Sequence, residues 1–207
     1  MPLIILKIII SYVIGSIPTA YIFGRILKGI DIRKFGSGNV GATNALRVLG
    51  KWPGAIVLVL DTLKGFFTVV FLGDFLASQA GYIPDETLRL ILGLSCICGH
   101  NWTIFLRFKG GKGMATTLGV LLALAVKVRG LEVILALSIL TWLLIFIIAR
   151  VVSLASVLTG LTLPIYMALF RQSYVMILTG IILGVFIILR HQSNLKRIFQ
   201  GKEPRLF

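Results

Sequence analysis

Acidic residues are scarce in this chain. Only 7 of its 207 residues are Asp or Glu, against 21 Lys and Arg, and charged residues of both signs make up 14%. A soluble domain carries about 25%. So little charge beside 57% hydrophobic residues excludes an ordinary soluble globular protein, because no interior of this size absorbs that much apolar surface. Histidine and cysteine are also rare, two of each. Cys96 and Cys98 lie in the apolar run LILGLSCICGH, so there is no disulfide framework, and they read as small core residues rather than metal ligands. A cationic leader is missing too. The N-terminus is apolar from Leu3, with Lys7 its one early charge, so the first segment is expected to persist as a spanning helix.

What is present is a series of long apolar runs. A membrane-crossing helix needs about 20 mostly apolar residues. Seven segments qualify: 3–26, 53–75, 88–106, 112–128, 131–149, 152–170 and 173–190. The fourth is short and ends at Lys127. The expected fold is an all-α integral membrane protein, one domain over 1–207, with seven transmembrane helices and short interfacial helices on the cytoplasmic side. Pro18 and Pro164 fall inside spans, where neighbouring helices satisfy the backbone groups that proline frees.

The net charge of +14 would point to nucleic acid in a soluble protein. In a membrane protein it reads as basic loops that set orientation and face anionic lipid, so no nucleic-acid partner is expected. One set of loops holds fifteen basic residues. The other set holds five, Lys7, Arg89, Lys127, Arg129 and Arg171. The richer side is expected to be cytoplasmic, with the N-terminus outside and the C-terminus inside. All the Gly-, Asn-, His- and Lys-rich segments fall on that side.

The segment FGSGNVGATN spells G-x-G-x-x-G at Gly36, Gly38 and Gly41, with Asp61 following at the distance of a ribose-binding acid. A dinucleotide fold needs a strand before the glycines. Here membrane helices flank the loop and Asp61 lies inside an apolar span, so that reading fails. RFKGGKGMA also fails as a Walker A loop, since Leu106 and Gly113 stand where glycine and Ser/Thr are required.

Three segments carry phosphate chemistry. In GSGNVGATNALRVLG, Ala42, Ala45, Leu46 and Leu49 make an apolar stripe at helical spacing. A short interfacial helix is expected, presenting Ser37, Asn39, Thr43, Asn44 and Arg47 to a polar cleft, with Gly41 allowing close approach. In GHNWTIFLRFKGGKGMATTLG, Lys109 and Lys112 stand beside Gly110, Gly111 and Gly113 at a helix start, and His100 precedes them. Bare backbone N–H groups, lysine charge and a helix N-terminus suit a phosphate. In RHQSNLKRIFQGKEPRLF, His191 and Asn194 share a face if the last span continues as a helix. Glu203 is expected to pair with a nearby cation as an anchor. Within the second span, Asp61 and Lys64 at i, i+3 read as a structural pair or as the floor of a polar site.

Together these segments resemble the bacterial acyl-phosphate:glycerol-3-phosphate acyltransferase family (PlsY-type). The resemblance rests on GSGNVGATN, on GHNW with FKGGKGMAT, on RHQSN with GKEPR, and on DTLKG, and it spans nearly the whole chain. Thr103 stands where a proline is common, and Lys202 where a small polar residue is frequent. The resemblance implies transfer of a fatty acyl chain from acyl phosphate to glycerol 3-phosphate, with no cofactor and no metal. It implies Gly110, Gly111 and Gly113 for glycerol 3-phosphate binding, Ser37, Arg47, His191 and Asn194 for activity, and Glu203 for structure. It also implies a bacterial plasma (inner) membrane location with a cytoplasmic active site, in contact with membrane lipid and coupled in function to the enzyme that makes acyl phosphate. The His-x4-Asp dyad of thioester-using acyltransferases is absent, because Phe105 and Lys196 stand five positions after the two histidines. The expectation is therefore that a substrate phosphate oxygen accepts the hydroxyl proton. The alternative function is a transporter of organic phosphates, but no internal repeat is evident and the polar motifs cluster on one side.

Overall fold

The computed structural model describes residues 2–77 and 83–206. Among them every regular element is helical: α1 (Pro2–Ser16), α2 (Thr19–Lys28), α3 (Ala42–Leu49), α4 (Lys51–Phe67), α5 (Gly73–Ala77), α6 (Asp85–Asn101), α7 (Met114–Lys127), α8 (Leu131–Ala149), α9 (Val152–Leu169), α10 (Tyr174–Arg190) and α11 (Gln192–Phe199). A π-helical turn, Thr68–Leu72, joins α4 to α5, and single 3-10 turns stand at Ile32–Lys34 and Ile104–Leu106. The chain divides into two compact units, Met1–Leu124 and Ala125–Phe207.

Polarity in the first unit is inverted relative to a soluble protein. On α4 the buried positions are Gly54, Val57, Asp61, Lys64 and Gly65, one stripe at helical spacing. Ile56, Leu58, Val59, Leu60 and Leu63 of the same helix are exposed. On α1 the buried residues are Lys7, Ser11, Gly15 and Ser16, while Ile5, Leu6, Ile9 and Val13 face outward. A helix that turns its aliphatic side chains out and its small and polar ones in is built for lipid surroundings. The polar groups are used in packing. Ser11 Oγ donates to the Leu92 carbonyl, and Ser95 Oγ donates to that of Ile8 at 2.7 Å, which sews α1 to α6. α7 comes equally close to α4, where a methyl group on Gly65 or Gly119 would strike the carbonyl of Thr116 or Thr62.

Pro18 breaks the first apolar segment into α1 and α2, since it has no N–H to continue the ladder. The carbonyls left at the break find side-chain donors. Thr103 Oγ1 donates to Ser16 O, and Lys64 Nζ donates to Ile17 O at 3.0 Å. The π-helical turn is handled in the same way. Arg89 Nη1 donates to Val69 O at 3.0 Å, and its other nitrogens hold Asp74 at 2.6 Å and Asp85 at 2.7 Å.

In the second unit α9 packs against both α8 and α10. Gly160, Gly180 and Gly184 lie in the α9–α10 contact, with Gly184 backing directly onto the Gly160 carbonyl. Pro164 is accommodated within α9. The chain bends by 63° at His191, between α10 and α11.

Among the described residues, five helical segments are long and apolar enough to cross a membrane: Pro2–Lys28, Lys51–Phe75, Asp85–Leu106, Leu131–Ala149 and Val152–Leu169. The bent pair Tyr174–Arg190 with Gln192–Phe199 makes a sixth candidate. Two of the seven expected spans are not among the five: the seventh, 173–190, qualifies only together with α11, and the fourth is shorter still. Its helix is only Met114–Lys127, because Gly113 holds φ +76° and the residues before it are committed to a loop.

Candidate active site

The first motif folds around Asn44. Gly41 caps α3, and Asn44, fully buried, turns back from the first turn of that helix into the preceding loop. Its Oδ1 accepts the Ser37 N–H at 2.8 Å, and its Nδ2 donates to Phe35 O at 3.1 Å and Ile32 O at 3.3 Å. Gly36, at φ +58°, backs directly onto this amide, so a side chain at that position would displace it. Asn44 therefore does not stand with its neighbours on an open face, as its helical position alone suggested. Tying down the loop takes up both ends of its amide. Arg47 and Ser37 are exposed, and Asn39, Gly41 and Thr43 are half-buried. Asp31 caps the 3-10 turn before this loop and grips Arg33, with Arg33 Nη2 donating to Asp31 Oδ2 at 2.6 Å. The hydrogen bond from Arg33 outweighs burial and holds the Asp31 carboxyl down to about 2.

The second motif is a loop strapped onto the end of α6. Gly110 N–H donates to Asn101 O at 3.2 Å, and Gly111 N–H donates to His100 O at 3.0 Å. Gly110 backs onto the His100 carbonyl and Gly111 onto the His100 imidazole, so neither position has room for a methyl group. The loop enters this strap through Arg107 and Phe108, both in the left-handed region at φ +54° and +62°, with Phe108 N–H tied to Thr103 O at 2.8 Å. Such conformations cost of order 1–3 kcal/mol each and persist where the surroundings over-determine them. Two of the backbone donors expected for phosphate are thus already committed to carbonyls. The loop places Lys112 one residue before Gly113, at the mouth of α7, whose first-turn N–H groups have no partner within the helix. Lys109 is exposed.

Beneath the strap lies a buried polar cluster. Asp61 Oδ1 receives Thr19 Oγ1–H at 2.9 Å and Lys64 Nζ at 2.8 Å, and His100 Nδ1 stands 3.8 Å away. The Asp61–Lys64 pair expected from spacing is present and is part of a larger group. Both motifs also share one apolar cluster, in which Leu106 packs with Ile32, Val40, Ala45, Leu49 and Val57.

The third motif lies in the second unit. Burial encloses His191 and Asn194 at 3% and 5% exposure. His191 Nδ1 lies 2.8 Å from Ile187 O, and because a carbonyl only accepts, Nδ1 carries the proton. The lone pair of the neutral ring is then on Nε2. Asn194 Nδ2 donates to Glu203 Oε1, Ser153 Oγ donates to the same oxygen at 2.7 Å, and Arg197 Nε donates to Oε2 at 2.7 Å. Burial pushes the Glu203 carboxyl up, but these three donors outweigh it and hold it below the usual glutamate value. The cation expected for Glu203 is Arg197.

Several residues at these sites were not picked out in the sequence. Thr19 and Ser153 act through hydroxyls, which carry no periodic signal, and Thr103, noted only as standing in place of a proline, donates to the Ser16 carbonyl. Asn101 is 1% exposed with both ends of its amide unpaired, and a methyl group on Gly113 would strike its Oδ1. The N in GHN was the one available cue.

The chain matches the family described as Glycerol-3-phosphate acyltransferase over residues 5–201. It is 42% identical to the glycerol-3-phosphate acyltransferase of Trichormus variabilis over 210 residues, covering 96% of this chain and 90% of that one. It is 40% identical to the one from Carboxydothermus hydrogenoformans, covering 99% and 97%. Among solved structures it is similar to PlsY (YgiH), an integral membrane glycerol 3-phosphate acyltransferase, in its glycerol 3-phosphate form, with a TM-score of 0.85, 35% identity and coverage of 98% and 94%. The lysophosphatidic acid form of the same protein gives 0.82. A match over nearly the whole length at this identity leaves one conclusion: the chain belongs to the glycerol-3-phosphate acyltransferase family and is a multi-pass membrane enzyme of that family.

Proposed function

We propose that this protein transfers a fatty acyl chain from acyl phosphate to the 1-hydroxyl of glycerol 3-phosphate. The products are 1-acyl-glycerol 3-phosphate and inorganic phosphate, in an early step of phospholipid synthesis. The observation that carries this reading is the strapped glycine loop, which fixes Lys112 at the mouth of α7 on a backbone with no room for side chains. A cation on a rigid loop beside helix N–H groups is the chemistry that receives a phosphate monoester.

Acyl phosphate is a mixed anhydride and needs no further activation. The hydroxyl oxygen of glycerol 3-phosphate bonds to the acyl carbon, the bond from that carbon to the phosphate oxygen breaks, and the phosphate leaves with the hydroxyl proton. The enzyme's share is to hold two anions in attacking geometry and to stabilise the developing charge. Lys112, Lys109 and the Gly113 end of the loop take glycerol 3-phosphate, with Gly110 and Gly111 fixing the loop through their bonds to the Asn101 and His100 carbonyls. Ser37 and Arg47, with Asn39, Gly41 and Thr43, take the phosphate of the donor, on a loop that Asn44 holds closed. His191 and Asn194 serve activity from the third motif, which Glu203 holds in place, and His100, Asp61 and Lys64 hold the structure around the glycine loop.

The whole chain 1–207 acts as one transmembrane acyltransferase domain in the bacterial plasma membrane. Seven segments cross it, with the N-terminus outside and the C-terminus and active site in the cytoplasm, where the enzyme that forms acyl phosphate supplies the donor. The fifteen-to-five split of basic residues between the two sets of loops supports that orientation. The amphipathic helices α3 and α11 lie along the interface in this arrangement. Purified protein in lipid, given acyl phosphate and labelled glycerol 3-phosphate, should form labelled lysophosphatidic acid. A folded protein that forms none would refute the assignment. Product from acyl-CoA but not from acyl phosphate would replace the donor.

A further inference from the structure

We infer that Asp61, buried in α4 and distant in sequence from the glycine loop, is a positioning residue for glycerol 3-phosphate binding and acts through His100. This rests on the function proposed above.

The cluster around Asp61 is more than a neutralised pair. One carboxylate oxygen takes the Thr19 hydroxyl at 2.9 Å and the Lys64 ammonium at 2.8 Å, and faces His100 Nδ1 at 3.8 Å. Asp61 and Thr19 are almost fully enclosed, and Lys64 is anchored at its other side by the Ile17 carbonyl beside the Pro18 break. A buried carboxylate held by three elements, α2, α4 and α6, has one fixed position. In a region this poorly solvated its field on a nearby imidazole is weakly screened.

His100 joins that carboxylate to the loop. Its Nδ1 edge faces Asp61. Its Nε2 edge lies against the Cα of Gly111, and its own carbonyl accepts the Gly111 N–H at 3.0 Å. Ring and carbonyl of one residue therefore clamp the same glycine, immediately before Lys112. Rotating the ring would leave Gly111 unsupported on one side and release the reach of Lys112. Asp61 sets that rotation. If the acid served only to neutralise Lys64 in the membrane, nothing would require its bonded oxygen to be the one that faces the histidine.

The test is a double-mutant cycle with Asp61→Asn and His100→Gln in the purified, lipid-reconstituted enzyme, with kcat and both KM values read separately. Asp61→Asn should raise the KM for glycerol 3-phosphate about tenfold, with kcat and the KM for acyl phosphate within about twofold. Because the two residues act in series, the double variant should be no worse than the weaker single one, within about twofold. Multiplying effects, or a proportional fall of kcat with unshifted KM values, would overturn the inference. Should Asp61→Asn fail to fold, Thr19→Val removes one donor from the same oxygen and leaves the ion pair intact. It should raise the same KM by about threefold, and an unchanged KM would overturn the inference as firmly. Wild-type protein that makes no lysophosphatidic acid would refute the functional reading itself. Active wild type with no KM response would refute only the role of Asp61.

Discussion

The two units hold their candidate functional segments by different means. In the first, the 107–113 loop is fastened by backbone: Gly110 and Gly111 donate to the carbonyls of Asn101 and His100, and the fit depends on the absence of side chains. In the second, the segment after the 63° bend is fastened by a carboxylate: Glu203 gathers Asn194, Ser153 and Arg197 onto its two oxygens. The hydrogen bonds of a backbone strap carry no charge of their own, and the strap fails when volume is added. A carboxylate clasp fails when charge is removed. Each should therefore respond to a perturbation that leaves the other intact.

The largest expected effect is on the strap. Gly110→Ala drives a methyl group into the His100 carbonyl, which cannot move without unwinding the end of α6. Displacing a binding loop by about 1 Å can cost roughly 100-fold in rate, and kcat/KM for glycerol 3-phosphate should fall by at least that much. The bonds around Glu203 should be untouched, visible as unchanged protection of the Leu206 amide, which donates to Arg150 O. Coordinated loss at both places would show that the two fastenings are not independent.

Glu203→Ala comes next. It strands the Asn194 amide, the Ser153 hydroxyl and the Arg197 guanidinium at once. A fall in kcat of about tenfold is expected, the scale of one lost charge-assisted hydrogen bond. The KM for glycerol 3-phosphate should stay within about twofold, since the strap remains. A KM shift comparable to that of Gly110→Ala would erase the distinction.

The same contrast shows what the sequence made legible. Local spacing carried α3, whose stripe of Ala42, Ala45 and Leu49 packs inward as periodicity requires, and the Asp61–Lys64 pair, one helical turn apart. Glycine content pointed to the strap, though for a different physical reason. The glycines are needed to pack on His100, and two of their N–H groups are already engaged. Contacts between distant segments were not legible. Nothing in GHN or DTLKG says that His100 faces Asp61, and nothing in GATN says that the Asn44 side chain turns back to Ser37. The bend at His191 left no mark either, because neither proline nor glycine stands there. The break at Pro18 was marked, but the apolar run continued through it and read as one span.

Acid should weaken the clasp and spare the strap. The Glu203 carboxyl is held below its ordinary value, so its stabilisation is fully present above about pH 4.3 and is lost as pH falls through the lower, folded value. Hydrogen exchange at Leu206 should accelerate in that range while exchange at Gly110, whose N–H donates to the Asn101 carbonyl, does not. Glu203→Gln should reproduce the acid behaviour at pH 7, since an amide keeps an acceptor but loses the charge that binds Arg197. Exchange at Leu206 that ignores pH in the wild type would mean that the carboxylate is not what holds the tail.

The smallest effect sharpens the comparison most. Ser153→Ala removes a single neutral donor from Glu203 and leaves Asn194 and Arg197 in place on that carboxylate. The Ser153 hydroxyl is buried on α9 and its only role at the clasp is to donate. Losing it should cost about 0.5–1.5 kcal/mol, read as a modest drop in the unfolding midpoint and a two- to threefold fall in kcat. It should also let the Glu203 carboxyl rise, because one of the three donors that hold it down is gone. The acid-induced release of Leu206 should then begin at higher pH than in the wild type. A midpoint that falls without any displacement of that pH profile would make Ser153 a packing residue of α9. A profile that moves upward would place its hydroxyl in the charge balance of the clasp, a kind of sensitivity that the backbone hydrogen bonds of the glycine strap do not have.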